Sequence, residues 1–279
     1  MQDFSWLSRT ALLVGDDRLK ILSEKHVLIV GLGGVGSYAA EFIARAGVGT
    51  LTIVDGDIVD PTNRNRQLPA LVSTHGLSKA DLMAERLRDI NPEIILIIRK
   101  DFLTPDKAEE ICRAARYDYV VDCIDSLTPK LYLITTAISE GLNIVSSMGA
   151  GGKMDPMRIK ISDIGDTYND HFALQIRKRL KSKGIRKNLI CVFSDEPSPK
   201  SALLMTDGSN FKKSAYGTIS YIPAAFGGVC ASVVIRHLLG ENIVLYKNEL
   251  LDLVKKREAK KEAKKKSLKL SFKSLIPKN

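Results

Sequence analysis

Nowhere in the 279 residues does an uninterrupted apolar run approach the roughly 20 residues that span a bilayer. The opening MQDFSWLSRT also lacks the charged-then-apolar layout of a secretory signal. No membrane association is expected, and the cytoplasm is the expected compartment. Cysteine is scarce: Cys112, Cys123, Cys191 and Cys230 are scattered, with no C-x-x-C pair. That excludes a disulfide framework and a four-thiolate zinc site as readings of the pattern. Acidic residues are missing where basic ones crowd. Ile176 to Lys187 holds seven Lys/Arg and no Asp/Glu, and residues 247–279 hold twelve Lys/Arg against four Asp/Glu. The net charge of +10 is therefore concentrated in two segments. Such clusters favour a polyanion through counterion release, a solvated surface that binds nothing specific being the alternative.

What is present is a globular composition, 44% hydrophobic with a mean hydropathy of −0.03. After a helical segment ending near Leu22, His26–Val30 is β-branched, apolar and stopped by Gly31, as expected of a buried strand. A glycine-rich turn and a helix over Ser37–Ala46 come next, then a strand over Thr50–Val54. The alternation continues with helices near Ser78–Ile90, Pro105–Ala115 and Pro129–Glu140, and strands at Ile94–Ile98, Tyr119–Val121 and Asn143–Ser147. Strict alternation predicts an α/β, Rossmann-like, mostly parallel sheet with helices on both faces.

Beyond Gly149 the pattern loosens. Strands at Ile159–Ile161 and Leu189–Phe193 are expected to extend the sheet in antiparallel fashion, around a helix at Thr167–Ser182. Asp195–Ser214 is expected to be a loop, Ala224–Leu239 a helix covered by the fold, and Lys255–Lys269 a solvated lysine-rich stretch. The predicted organisation is one domain over 1–246, with its nucleotide part at about 20–150 and a substrate side at about 151–246, and then a basic tail over 247–279.

The first strand runs into Gly31-Leu-Gly33-Gly34-Val-Gly36 at a helix start, where backbone amides approach phosphate oxygens and the helix dipole favours negative charge. Asp55 closes the second strand 19 residues after Gly36, the distance of a carboxylate that accepts from ribose hydroxyls. These two features alone do not separate NAD from ATP. The next segment does. Asp57, Asn63, Arg66 and Gln67 crowd it, a set an adenylating enzyme needs and a dehydrogenase does not.

The sequence resembles the ubiquitin-activating-enzyme-like superfamily, to which ThiF and MoeB-type enzymes belong. Its G-x-G-G-x-G turn, D-x-D strand end, N-x-x-R-Q segment, later lysine and D-x-x-D strand end occur here in order, as Gly31–Gly36, Asp55 with Asp57, Asn63 with Arg66 and Gln67, Lys79, and Asp122 with Asp125. The resemblance implies an adenylation fold that binds ATP and Mg2+. In it Asp55 holds ribose, Asn63, Arg66 and Lys79 hold the triphosphate, and Asp125 coordinates the metal. Asp57 and Gln67 count with the nucleotide-binding set. It further implies that Arg9 reaches across the two-fold interface of a homodimer into the partner's site, with a surface arginine as the alternative.

Departures narrow the branch. The paired C-x-x-C ligands of the sulfur-carrier enzymes are missing, so zinc is not expected; no transfer cysteine is recognisable, and Lys130 stands where many of them have arginine. Cys191 and Cys230 sit in apolar segments and are expected to be structural. By contrast Arg9–Gly15, Asp122–Lys130, Met148–Lys153 and Cys191–Pro197 resemble the tRNA threonylcarbamoyladenosine dehydratase family. That resemblance implies ATP-dependent activation of the carboxylate on a modified adenosine of tRNA, and then ring closure with an internal nucleophile. The anticodon stem-loop is then the polyanion for Arg177, Lys178, Arg179, Lys181, Arg186 and Lys187, and a cysteine desulfurase system is a further candidate partner. The alternatives are an adenylyltransferase for a ubiquitin-like sulfur carrier, an NAD-dependent oxidoreductase, and a noncatalytic tRNA-binding or partner-binding module that keeps only ATP binding.

Overall fold

The computed structural model describes residues 5–205 and 214–249. They fall in two compact units, the first ending at Leu245 and the second starting at Tyr246, and the sheet and its helices all belong to the first. The expected solvated stretch Lys255–Lys269 lies outside the described residues.

Two short helices, α1 (Ser8–Val14) and α2 (Asp16–Ser23), lead into β1 (His26–Val30). The chain then alternates through α3 (Gly36–Arg45), β2 (Thr50–Val54), α4 (Lys79–Ile90), β3 (Ile95–Arg99), α5 (Pro105–Arg113), β4 (Tyr119–Asp122), α6 (Leu127–Ser139) and β5 (Ile144–Ser147). It continues through β6 (Ile159–Asp163), α7 (His171–Ser182), β7 (Ile190–Ser194), β8 (Leu203–Met205), β9 (Ser214–Tyr216) and α8 (Tyr221–Leu238). The main sheet has the order β3-β2-β1-β4-β5-β7-β6. Every neighbouring pair is parallel except β6 with β7, where Ile161 lies opposite Val192 in an antiparallel ladder. The expected mostly parallel sheet forms, but of the two strands expected to extend it in antiparallel fashion β7 runs parallel to β5, and β6 alone is antiparallel.

Side-chain alternation along β1 divides the core. Val27 and Ile29 face a layer with Ile43, Met83, Phe226 and Val234, while Leu28 and Val30 face one with Ile111, Ile134, Ile176 and Leu180. Burial of both faces explains why these strands read as continuous apolar runs. Helix α8, 18 residues long, is apolar enough by length and composition to span a membrane. It instead buries Ile222, Phe226, Cys230, Val233 and Val234 against the sheet. A Cβ on Gly227 would lie 2.6 Å from the Val35 carbonyl oxygen, so glycine is what lets α8 approach the start of α3.

Three further expectations are corrected. The helix expected from Thr167 begins at His171, because Asp170 caps it by accepting from the Ala173 amide at 2.9 Å. Helix α6 begins two residues before Pro129, which occupies its first turn, where the missing N–H costs no hydrogen bond. The segment expected to be loop from Asp195 to Ser214 contains β8, which pairs antiparallel with β9, Leu204 opposite Ala215.

Candidate active site

Sheet order reverses direction between β1 and β4, and in open α/β sheets ligands bind in the crevice outside the carboxyl ends of strands at such a point. The glycine turn fills that place. Gly31 has φ +88°, and a Cβ there would lie 2.9 Å from the Cys123 carbonyl oxygen at the end of β4; one on Gly36 would meet the Gly31 oxygen at 1.7 Å. Gly31 and Gly36 thus shape the turn itself. Around Gly33 there is more room, the first neighbour being the Gln67 amide nitrogen at 3.6 Å.

Asp55 ties the second strand to this turn: Oδ2 accepts from the Leu32 amide at 2.6 Å and Oδ1 from the Asp57 amide at 2.8 Å. Burial pushes its carboxyl above the ordinary aspartate value, with the Lys79 charge and the two amides pulling down. Lys79, the first residue of α4, is only 5% exposed, and its ammonium pairs with Asp57 Oδ2 at 3.0 Å. It is therefore not the surface lysine that a helix start alone would suggest. Ser78 caps α4, and the segments around Ile58 and Ser78 bridge, so the lysine is delivered to the end of β2 by backbone pairing.

The N-x-x-R-Q segment forms a short 3-10 turn closed by a capping box, in which Asn63 Oδ1 accepts from the Asp60 amide at 3.2 Å. Arg66 is half-buried over Gly34, and its guanidinium donates to the Asn65 side chain at 2.8 Å. Gln67 is buried beside Gly33, and its Oε1 has no hydrogen-bond partner among the described residues. A buried acceptor of that kind costs free energy unless a bound molecule supplies a donor, as a nucleotide hydroxyl or amine does.

Asp125 is exposed three residues beyond β4, on the loop whose Cys123 carbonyl backs Gly31. The helix cap there is Ser126, not Asp125. Among the described residues no group of three or more His, Cys, Asp or Glu side chains forms a metal cage. One carboxylate beside a phosphate-binding turn fits Mg2+, which keeps waters and takes one or two carboxylates together with substrate phosphates. Arg9 is exposed on α1, alongside Leu12 and Leu13, which are 89% and 85% exposed.

Two further buried cations, Lys130 and Lys153, are not marked by any spacing rule. Lys130 on α6 is fully buried; its Nζ pairs with Asp122 Oδ2 at 2.8 Å and donates to the Ile124 carbonyl at 2.9 Å. Lys130 shares a helical face with the buried Ile134 and Ala137, the one signal that would have turned it inward. Lys153, 3% exposed, lies beyond β5. Three cysteines offer no activated thiol: burial pushes Cys112 up to about 11 and Cys191 well above its ordinary value, and Cys123 is raised by its side-chain hydrogen bond with Cys230 and by burial.

Similarity to known proteins runs along the same lines. The Escherichia coli tRNA threonylcarbamoyladenosine dehydratase is 38% identical over 257 residues, spanning 85% of this chain and 96% of its own. The Bacillus subtilis enzyme of that name is 44% identical over 189 residues, 68% of this chain and 74% of its own. The solved structure of the E. coli enzyme in complex with ATP superposes with a TM-score of 0.76 at 37% identity, covering 85% of this chain and 95% of that one. At the level of fold alone, E. coli MccB with ATP superposes at a TM-score of 0.58 and 16% identity, over 87% of this chain and 66% of that one. With residues 7–271 matching, and with the glycine turn, Asp55 and Lys79 gathered at the reversal of its sheet, the chain belongs to the ThiF family.

Proposed function

We propose that the protein uses ATP and Mg2+ to dehydrate threonylcarbamoyladenosine in tRNA to its cyclic form. The observation that carries this reading is kinship to dehydratases over 85% of this chain and 96% of the E. coli enzyme, combined with a nucleotide turn that has the buried Lys79 and the turn-bonded Asp55 beside it. A carboxylate oxygen of the substrate attacks the α-phosphorus of ATP, the bond to the β-phosphate bridge breaks, and pyrophosphate leaves. An internal nucleophile of the threonylcarbamoyl group then attacks the acyl carbon, its proton departs, and AMP leaves with the original carboxylate oxygen. One water is lost from the nucleoside overall.

In this chemistry Asp55 orients the ribose, while Arg66 and Lys79 offset the charge that builds on the phosphates. Asp125 would hold Mg2+, which supplies Lewis-acid neutralisation of phosphate oxygens. Exposed Lys178, Arg179, Lys181, Arg186 and Lys187 offer phosphate contacts to the tRNA, and a cytoplasmic location follows from that substrate. Exposed Leu12 and Leu13 beside Arg9 suit a homodimer in which Arg9 serves the partner's site.

The test is incubation with ATP, magnesium and tRNA bearing threonylcarbamoyladenosine, with mass spectrometry of the digested nucleosides as the readout. ATP-dependent loss of one water is the expected result. An unchanged mass with ATP still bound would overturn the reading and point to a protein carboxy-terminus as substrate.

A further inference from the structure

Two sequence motifs with no task in the nucleotide chemistry, Met148–Lys153 and Cys191–Pro197, interlock in the fold. The buried Lys153 ammonium donates to the Asn169 carbonyl at 3.4 Å and to the Glu196 carbonyl. In return Glu196 Oε2 accepts from the amides of Met154 and Asp155, both at 2.9 Å. Asn169, held at φ +53°, donates its side-chain amide to the Asp195 carbonyl at 3.1 Å. Asp170 Oδ2 accepts from the Gly149 amide at 3.1 Å. Three loops, at 149–155, 167–170 and 195–198, are thus joined through one ammonium and two carboxylates.

Burial pushes the Lys153 pKa down while Asp170 and Glu196 pull it up. An ammonium here is costly to desolvate, and its three donors are what two loop carbonyls need. The clamp lies at the carboxyl ends of β5 and β7, where a substrate approaches an open α/β sheet. It also adjoins the nucleotide turn. The Gly152 amide bonds the Gly217 carbonyl at 2.8 Å, the Tyr221 hydroxyl bonds the Met154 carbonyl at 2.9 Å, and two residues later Pro223 packs on Gly34. Gly152, at φ +70°, would place a Cβ 2.8 Å from Ser198 Cβ, so the loop is seated tightly on the second motif.

We propose that Lys153 is a positioning residue for the RNA substrate: its ammonium holds the Gly149–Lys153 rim, against Glu196, in the shape that receives the modified nucleoside. This rests on the dehydratase reading.

Three variants test it, Lys153→Met, Lys153→Ala and Glu196→Ala, with steady-state dehydration of tRNA and amide hydrogen exchange as readouts. In Lys153→Met and Glu196→Ala the KM for tRNA rises about tenfold while kcat and the KM for ATP stay within about twofold. Ethylammonium lowers the tRNA KM of Lys153→Ala, whose cavity admits it, and not that of Lys153→Met. Amides of Met154 and Asp155 exchange faster in all three variants, and those of β1 do not. If Lys153→Met fails to fold, Glu196→Ala carries the same expectation from the other side of the clamp. A tRNA KM within about twofold of wild type in the folded variants, or unchanged exchange at Met154 and Asp155, overturns the proposal. So does a parallel fall of every parameter without rescue, the mark of a merely structural lysine. Wild-type protein that leaves the RNA unchanged instead sinks the dehydratase reading, and exchange still scores the clamp.

Discussion

Lys130 Nζ and Asp122 Oδ2 lie 2.8 Å apart with neither side chain exposed to solvent. The Asp122 carboxylate also accepts from Ser146 Oγ at 2.6 Å and from the Ile124 amide at 3.1 Å. Burial pushes the Asp122 pKa up, with Lys130, Ser146 and Ile124 pulling down. Because Lys130 also holds the Ile124 carbonyl, the pair sets the path of the loop that carries Asp125. Removing one partner strands a charge in the core. Lys130→Met is expected to cost about 3–5 kcal/mol in urea unfolding, and adding Asp122→Asn recovers much of it, since the neutral pair leaves no orphaned charge. A single-variant loss below about 1 kcal/mol would contradict this account.

Asp125 itself is exposed, so its carboxylate can be removed without disturbing the core. Asp125→Ala is expected to lower kcat by about 10²–10³-fold with an unchanged melting temperature, the size of effect seen when one stabiliser of transition-state charge is deleted. Near-wild-type turnover at saturating magnesium would remove Asp125 from the metal site.

The glycine turn separates shape from binding. Gly36→Ala places a Cβ 1.7 Å from the Gly31 oxygen, a backbone atom that cannot yield, whereas Gly33→Ala meets only the Gln67 side chain at 3.6 Å. Gly36→Ala is expected to destabilise by about 3 kcal/mol or more. Gly33→Ala folds normally and weakens ATP, because its methyl occupies space that phosphate oxygens need. Calorimetric melting and ATP titration of the two proteins separate the effects. Equal melting temperatures would refute the distinction.

Much of this was legible from residue pattern, for physical reasons that also mark where legibility ends. His26–Val30 and Thr50–Val54 are buried on both faces, so composition alone delimits them. The glycine turn and Asp55 keep their meaning because strand, turn and helix are consecutive in sequence. Lys130 and Lys153 are different: a lysine in a sequence defaults to solvent, and only partners eight and 43 residues away, Asp122 and Glu196, make burial tolerable. Of the D-x-x-D pair, the family resemblance implies Asp125 as the metal ligand but gives no hint that Asp122 is a buried ion. The hairpin of β8 and β9 was hidden for another reason, its three-residue strands being too short for a period of two to stand out.

His26 opens β1 with its Nε2 2.8 Å from Thr52 Oγ1 and its ring edge-on to Tyr117. Burial lowers its pKa from 6.5, against the opposing pull of Asp118. A folded pKa below the unfolded one means that the unfolded chain binds more protons as pH falls. His26 therefore contributes stability that is present above pH 6.5 and lost as pH drops through the folded value. Urea midpoints between pH 7.5 and about 5.5 should fall for the wild type, with a shallower fall for His26→Gln. Parallel pH profiles would remove His26 as the source.

Helix α7 turns one of its basic residues inward and leaves the others in solvent. Ala173, Ile176 and Leu180 form its buried face, and Arg177 turns inward with them, donating to the Thr167 carbonyl and hydroxyl, each at 2.6 Å. Burial pushes the Arg177 pKa down, as expected of a guanidinium spent on the fold. Arg177 therefore leaves the RNA-facing set, while Lys178, Arg179 and Lys181 stay exposed. Lys178→Glu with Arg179→Glu is expected to raise the KM for tRNA about tenfold and to flatten its salt dependence by about 0.7–0.9 in log–log slope for each phosphate no longer neutralised, with melting unchanged. Arg177→Met should do the reverse, lowering the melting temperature and leaving the salt slope intact. Filter binding across a salt series decides between them, and an unchanged slope in the charge-reversed pair would place the RNA on another face.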